Sequence, residues 1–300
     1  MSAARRWLCA LPLLAMIGLA AADVAAPETA AVPEMAAAPR IEVRETGGDR
    51  PGRFGAALQA RLARVPWPAA GPGEPPTIIV AVGTAAFRAS LAEPGHGPVL
   101  GVDIPRAEAD ALVTASCDCS ALWRGVSLHS QLRLLRELMP DAHRIGVLGG
   151  AGSAWSPRPG EPAPAGVEWV TVNGAERLGP VLRRHLPDWD ALLLPVDDTL
   201  FNAGTAKLVL LTSYRQRVPV IGPDAAFVRA GSAASGEVSL DNMLDTVADW
   251  LLRRQQQQRW PEPDFAGRYS PAINDYVADA YDLRIEDRAA LRRALVEDAR

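Results

Sequence analysis

Short apolar runs alternate with amphipathic, helix-length segments along most of the chain. The apolar runs predict strands at 41–44, 77–82, 98–102, 143–148, 167–172, 191–195 and 218–223. Helical spacing predicts helices at 54–65, 85–92, 106–113, 128–139, 175–185 and 203–217. Because a helix-length segment follows most of the strands, the pattern predicts right-handed βαβ units and parallel sheets. The predicted fold class is α/β.

Two segments interrupt this alternation. Residues 114–125 fit neither period and contain the sequence Cys117-Asp-Cys119. Residues 155–166 are rich in proline, which predicts an exposed insertion after the strand at 143–148. The alternation resumes after each of them, so the chain contains two βα series of similar size.

The first 22 residues have the pattern of a secretory signal peptide. Arg5 and Arg6 precede an apolar run at 7–19, and three alanines follow at 20–22. The run is shorter than the roughly 20 apolar residues that span a bilayer, so a signal cleaved near Ala22 is favoured over a retained anchor. This pattern predicts export to the periplasm, and the Ala/Pro-rich residues 23–39 predict a linker before the fold.

The charge of the chain argues against one class of partner. The formal net charge is −4, and Lys207 is the only lysine in an otherwise arginine-based set of cations. Because the sequence has no basic stripe with interleaved aromatic residues, nucleic acid is not a predicted partner. Small molecules and proteins are the predicted partners.

Polar residues stand at the ends of two strands in the first series. Thr84 follows the strand at 77–82 and precedes a helix, whose free N–H groups favour anionic ligand atoms; Thr is also a common N-cap. Asp103 follows the strand at 98–102, where Asp is also a common turn residue. Open parallel sheets bind ligands at the carboxyl ends of their strands, so we predict that both residues contact a ligand.

The second series has a denser set of polar residues after the run at 191–195. Asp197, Asp198 and Thr199 follow that run, and Pro223 ends the next strand. The same strand-end rule predicts ligand contacts at these four residues. In a closed cleft, the Asp197 carboxylate would pair with a ligand cation such as an amine. Capping of the following helix by Asp198 or Thr199 is the alternative.

Cys117 and Cys119 allow several kinds of chemistry. An exported protein can form disulfides, although a bridge across one residue is strained in extended chain. A redox pair, a thiol site for a partner, a structural pair and free thiols all remain open. A metal site would need two further ligands, and His129 is the only candidate nearby, so no metal is predicted.

No recognisable catalytic arrangement is present. The four histidines have no serine or cysteine partner in a nucleophile motif. The glycine-rich segment 149–153 follows a strand, but it lacks the lysine of a phosphate-binding loop and the dinucleotide spacing. No cofactor and no enzymatic activity are predicted, and an exported enzyme is the least favoured class of function.

Several blocks resemble the periplasmic substrate-binding proteins associated with ABC importers, of the uncharacterised type with a type I periplasmic-binding fold. These blocks are Val82-Gly83-Thr84, HSQLRLLRELMPDAHRIGVL at 129–148, LLLPVDDTLF at 192–201 and RVPVIGPDAAFVRAGSAAS at 217–235. The resemblance places Asp197 at the family's strand-end aspartate and Asp198 where an amide is more usual. The family has a tyrosine after the position of Gly231 that this chain lacks. Trp123 and Tyr214 are the candidate replacements in the pocket wall, with a core position as the alternative for Trp123.

The resemblance implies two Rossmann-like lobes that close on a small molecule by a hinge motion. One lobe is expected at 40–126 and 237–260, and the other at 127–236. Residues 261–300 are expected to cross back and to end in a helix at 287–299.

The resemblance also implies a function. A periplasmic solute-binding protein that serves an inner-membrane ABC permease is the favoured reading. The alternative is a ligand-sensing or accessory protein that partners a membrane receptor or sensor, without transport.

Overall fold

The computed structural model describes residues 39–45, 52–67, 77–157 and 162–283. The predicted signal peptide, its cleavage site, nearly all of the predicted linker and the helix predicted at 287–299 lie outside the described residues. Within the described ranges, no helix combines the length and the apolar character needed to cross a membrane.

Strands and helices alternate along the described chain. The strands are β1 (Arg40–Glu45), β2 (Thr77–Val82), β3 (Val99–Ile104), β4 (Cys119–Trp123), β5 (Ile145–Gly149), β6 (Val167–Thr171), β7 (Ala191–Leu193), β8 (Val220–Ile221), β9 (Ala234–Glu237), β10 (Asp264–Phe265) and β11 (Ser270–Ile273). The helices are α1 (Arg53–Leu62), α2 (Thr84–Ala92), α3 (Arg106–Leu112), α4 (Leu128–Leu138), α5 (Leu178–His185), α6 (Ala203–Arg215), α7 (Ala225–Ala230), α8 (Leu240–Gln257) and α9 (Asp275–Ala280).

The described strands form two sheets. The first has the order β1-β2-β3-β4-β10 and is parallel throughout. The second has the order β11-β9-β8-β7-β5-β6, and its strands are parallel except for the antiparallel edge pair of β9 and β11. In this second sheet β5 lies between β6 and β7, so the direction of strand addition reverses there. Such a reversal opens a crevice at the carboxyl ends of the two strands.

Helices cover both faces of each sheet. In the first sheet, α1 and α8 pack on one face, and α2 and α3 pack on the other. In the second sheet, α4 packs on one face, and α5, α6 and α7 pack on the other. We name the first sheet with its helices lobe 1 and the second lobe 2. The chain passes between the lobes at 124–127, 238–239 and 266–269.

β4 corrects the interpretation of 114–125 as a segment without a strand. All of its residues are buried, and it runs parallel to β3 and β10. Its polar residue Ser120 is completely buried, and its hydroxyl keeps a hydrogen-bond partner there by donating to the carbonyl of Pro261 at 2.7 Å. The partner lies far along the chain, so local periodicity does not indicate this strand.

Trp155 corrects the prediction of an exposed insertion at 155–166. Its side chain is buried in the apolar cluster beneath α4, and its indole Nε1 donates to the carbonyl of Val126 at 2.7 Å. Residues 162–166 are exposed, as predicted. The start of the segment is therefore attached to the first passage between the lobes, and the described part of its remainder is exposed.

α4 illustrates how the sequence forms a helix and attaches it to a sheet. Ser127 caps the helix by accepting a hydrogen bond from the Ser130 N–H at 3.1 Å, and its leucines face the core. Gln131 on the same face is fully buried. Its Oε1 accepts from the Gly236 N–H at 2.9 Å, and its Nε2 donates towards the carbonyls of Gly222 and Gly236. This amide therefore joins α4 to the ends of β8 and β9.

Candidate functional site

The structure places the six predicted ligand residues at the carboxyl ends of parallel strands. Asp103 lies within the end of β3, and Thr84 follows β2. Residues 197–199 follow β7, and the buried Pro223 follows β8. Gly83, with a φ of 83°, is the N-cap of α2, so Thr84 is not the cap that the sequence left as its alternative role. We name these strand ends the strand-end cleft.

Asp103 has an unusual backbone conformation. Its φ is 60°, in the left-handed region that non-glycine residues other than Asn and Asp seldom adopt, and the pairing of β3 with β4 shifts register between Val102 and Ile104. Bulges and left-handed residues often re-aim a side chain beside a functional site. The local distortion positions the Asp103 carboxylate at the end of the strand.

Arg124 joins the two lobes across the strand-end cleft. Its Nε donates to Oδ1 of Asp103 at 3.2 Å in lobe 1, and its Nη1 donates to Oδ2 of Asp198 at 3.1 Å in lobe 2. Sequence reasoning missed Arg124, because it follows the unrecognised strand β4. The nearest signal in the sequence is its position directly before Gly125.

Gly125 lets the chain pass close to lobe 2. Its φ is 86°, and a Cβ placed there would lie 2.9 Å from Cγ2 of Val196, the residue before Asp197. A larger residue at this point would therefore push the loop after β7 away from Arg124. Gly125 and Arg124 are adjacent, and both contact the loop after β7: Gly125 approaches Val196, and Arg124 pairs with Asp198.

Asp197 is engaged by its own turn and by a neighbouring loop. Its Oδ1 accepts from the N–H and the hydroxyl of Thr199, at 3.0 and 2.6 Å, and from the Leu200 N–H at 3.1 Å. Its Oδ2 accepts from the Gly150 N–H at 3.3 Å. This bond joins the loops after β5 and β7, the two strands between which the order reverses. Pairing of Asp197 with a ligand cation stays a prediction, and a ligand would share a carboxylate that already has four donors.

The cap of α6 differs from the alternative that the sequence suggested. Asn202, rather than Asp198 or Thr199, caps this helix by accepting from the Gly204 N–H at 2.9 Å, and the Thr205 hydroxyl accepts in return from the Asn202 N–H at 3.1 Å. Asp198 is therefore not engaged as a helix cap. Its carboxylate contacts Arg124.

Burial and charge act on Asp103 in opposite directions. Burial raises the pKa of the Asp103 carboxyl, Arg124 lowers it, and the negative charge of Asp198 raises it; the net direction is upward. A carboxyl with a raised pKa in the folded state binds its proton more tightly than in the unfolded chain. Its contribution to the free energy of unfolding is therefore largest at low pH and falls as pH rises from the ordinary aspartate pKa through the raised one.

The upward direction of the Asp103 pKa shift can be tested with Asp103→Asn, because asparagine also tolerates the left-handed backbone. We expect the free energy of unfolding of the wild type, relative to the variant, to fall as pH rises above about 4, the ordinary aspartate value. Urea unfolding of both proteins between acidic and neutral pH measures the difference. Parallel profiles, or a difference that grows with pH, would contradict the raised pKa.

A second concave surface lies between α3 of lobe 1 and α4 of lobe 2. This cavity, which we name the helix groove, has a volume of about 830 Å³ and walls that include Trp123, Trp155, Phe265 and Arg106. The Arg106 guanidinium lies 5.1 Å from the centre of the Trp123 ring and donates to the carbonyl of Ala154 at 2.7 Å. None of the six predicted ligand residues lines the groove. We take the strand-end cleft as the candidate ligand site, because strand order reverses there.

The two aromatic candidates from the sequence have different positions. Trp123 is buried, packs edge-on against Phe265 and lines the helix groove. Tyr214 lies on α6 with 63% of its surface exposed, and its ring meets that of Tyr281. Trp123 therefore lines the helix groove, and Tyr214 does not.

Cys117 and Cys119 form a disulfide, with their Cα atoms 5.2 Å apart. The structure thus has the bridged form among the alternatives that the sequence left open. Two sulfurs joined in a disulfide are not available as thiolate ligands.

The two lobes, the three passages between them and the cleft at the strand ends together define a type I periplasmic-binding fold. Comparison with solved structures shows this fold in a ligand-free, open substrate-binding protein with adhesive properties from Clostridium difficile. The likeness has a TM-score of 0.51 at 16% identity and covers 69% of this chain and 74% of that chain. At this level of identity it shows the fold alone.

A further comparison has a lower TM-score. An ABC domain in complex with L-Trp from Streptococcus pneumonia has a TM-score of 0.49 at 15% identity, with 84% of this chain and 97% of that chain covered. A likeness at this level carries no further conclusion. No protein-family model and no curated protein matches the chain.

Proposed function

We propose that this chain is an exported solute-binding protein that closes its lobes on a small molecule in the strand-end cleft and presents it to an inner-membrane ABC permease. The observation that carries the proposal is the contact of Arg124 with one carboxylate of each lobe. Charged groups from both lobes thus meet at the strand ends, where a bound solute would bridge them. The proposed role needs no catalytic group.

The charges of the cleft favour a solute with a cationic group. The Arg124 guanidinium contacts the carboxylates of Asp103 and Asp198, and a third carboxylate, that of Asp197, lies on the same loop as Asp198. The remaining negative charge attracts a cation such as an amine. In the proposed complex, the amine takes the position of Arg124 between Asp103 and Asp198, and Arg124 moves towards solvent, to which a third of its side chain is already exposed.

The proposal is tested on protein purified from the periplasm of an expressing cell. Native mass spectrometry is expected to show a small molecule bound to the folded chain. Small-angle scattering is expected to give a smaller radius of gyration for the loaded protein than for the stripped protein, because a solute held by both lobes favours the closed form. Stripped protein that binds nothing from a periplasmic metabolite extract, with an unchanged radius, would refute the proposal.

A pair of matched variants identifies which surface binds the solute. Asp103→Asn in the strand-end cleft is expected to weaken binding about 10- to 100-fold, the scale of a charge-assisted hydrogen bond. Asp110→Asn makes the same change in the helix groove and is expected to leave the affinity unchanged. Calorimetry with the identified solute measures both. If Asp110→Asn weakens binding and Asp103→Asn does not, the solute binds in the groove.

A further inference from the structure

The disulfide between Cys117 and Cys119 closes over a single residue, Asp118. The entropy that a disulfide removes from the unfolded chain grows with the length of the loop that it closes. This bridge closes one of the shortest loops possible, so it adds little to the stability of the whole fold. Its role must be sought in the local structure around the two sulfurs.

Hydrogen bonds hold both cysteines in place without help from the bridge. Cys119 begins β4 and lies in register with Val99 of β3. The carbonyl of Asp118 accepts from the Val99 N–H at 3.0 Å and from Trp260 Nε1 at 3.2 Å. The Cys117 N–H donates to the carbonyl of Thr114 at 3.1 Å. The reduced protein would therefore keep the two sulfurs close together, ready to form the bridge again.

The charge of Asp118 is neutralised by a cation. Its carboxylate accepts a hydrogen bond from Arg254 on α8 at 2.6 Å. An unpaired carboxylate beside the two sulfurs would oppose a thiolate, so the ion pair removes that penalty. The Thr114 N–H also points at the sulfur of Cys117, at 3.4 Å, and can stabilise negative charge there.

The two cysteines differ in their exposure to solvent. Cys117 is half-buried on a loop whose neighbours at 114–116 and 118 are exposed. Cys119 has 6% of its surface exposed and belongs to the apolar cluster beneath α2 and α3. An attacking thiolate can approach Cys117, whereas Cys119 is sheltered.

We propose that Cys117 and Cys119 are a reversible dithiol–disulfide pair that exchanges with an external dithiol through the sulfur of Cys117. One thiolate of the dithiol attacks the Cys117 sulfur, the S–S bond breaks, and its electron pair leaves on the Cys119 sulfur, which takes a proton from water. The second thiolate of the dithiol then attacks the dithiol's other sulfur, which is bonded to Cys117 in the mixed disulfide. That bond breaks, and the Cys117 sulfur leaves with its electron pair and takes a proton from water. Two electrons pass to the protein, and the dithiol becomes a disulfide. This activity does not depend on solute binding.

The test uses the full chain with Cys9→Ser, which leaves this pair as the only cysteines. The protein is equilibrated in buffers of reduced and oxidised glutathione, quenched with acid, alkylated and weighed by mass spectrometry. We expect one two-electron transition between bridged and reduced protein, with the near-ultraviolet circular dichroism unchanged across it. A bridge that resists reduction until urea unfolds the protein, or a loss of the dichroism on reduction, would overturn the proposal.

Single-cysteine variants test the assignment of the attacked sulfur. With oxidised glutathione, Cys119→Ser is expected to form a glutathione adduct at Cys117 at least about tenfold faster than Cys117→Ser forms one at Cys119, because access controls the reaction. Dithiothreitol in place of glutathione shows whether a dithiol reduces the bridge without a lasting adduct. Equal rates for the two variants would contradict exchange through Cys117.

Discussion

Gly146→Ala is expected to lower the free energy of unfolding by about 2–4 kcal/mol, a large effect for one added methyl group. Gly146 lies in β5, and a Cβ placed there would overlap the six-membered ring of Trp189. The indole has little freedom to move, because its Nε1 donates to Glu168 at 2.8 Å and its ring stacks on His185. The gain of up to about 1 kcal/mol from replacing a strand glycine with alanine does not offset this clash.

Gly152→Ala is the matched control. Gly152 has open space where its Cβ would be, so the change is expected to stay within about 0.5 kcal/mol. Urea unfolding followed by tryptophan fluorescence measures both variants. Gly146→Ala should also cost less stability when it is made in a Trp189→Leu protein than when it is made in the wild type, because the smaller side chain removes the clash. Equal stability of Gly146→Ala and Gly152→Ala would show that the packing of Trp189 on β5 is wrong.

Gln131→Leu is expected to lower the free energy of unfolding by about 1–3 kcal/mol, because a buried donor loses its acceptor. The side chain is fully buried, and its Oε1 is the acceptor for the Gly236 N–H. Leucine has nearly the same volume, so the cost comes from the unpaired backbone group rather than from a cavity. The same variant should also loosen the attachment of α4 to β9.

Gln256→Leu on the exposed face of α8 is the control for that experiment. It makes the same chemical change where water satisfies the neighbouring polar groups, so its expected effect is within about 0.5 kcal/mol. Thermal and urea unfolding measure both. Hydrogen exchange at the Gly236 amide adds a direct readout, since its protection should fall in Gln131→Leu alone. Unchanged protection of this amide would contradict the hydrogen bond to Gln131.

Much of the fold within each lobe could be predicted from the sequence. The strand expected at 77–82 is confirmed by β2, and the helix expected at 128–139 by α4. Both are visible because their burial depends on contiguous residues with a clear period. β4 was missed because Ser120 is buried only through a carbonyl that lies far along the chain. Trp155 was placed at the surface because the prolines around it outweighed one aromatic residue.

The candidate site divides in the same way. The positions of Asp103 and Asp197 at strand ends follow from local pattern, because the end of a strand is a local feature. Their present partners do not. Arg124 reaches carboxylates of two lobes, so its role depends on the separation of those lobes, which no window of sequence encodes. The donors around Asp197 likewise depend on the approach of the loop after β5.

The attachment of α8 and β10 to lobe 1 has a consequence for the order of folding. The second neighbour of β4 in the sheet is β10, at residues 264–265. Helix α8 contributes Leu244, Val247 and Leu251 to the apolar core that it shares with α1 and the first sheet. Most of lobe 2 lies in one uninterrupted stretch, so it has a lower contact order and is expected to fold sooner. Strands β1 to β4 then have one apolar sheet face covered only in part, by α1, until the chain has been made as far as α8. During synthesis, lobe 1 is therefore expected to become native after lobe 2, although strands β1 to β4 are made first.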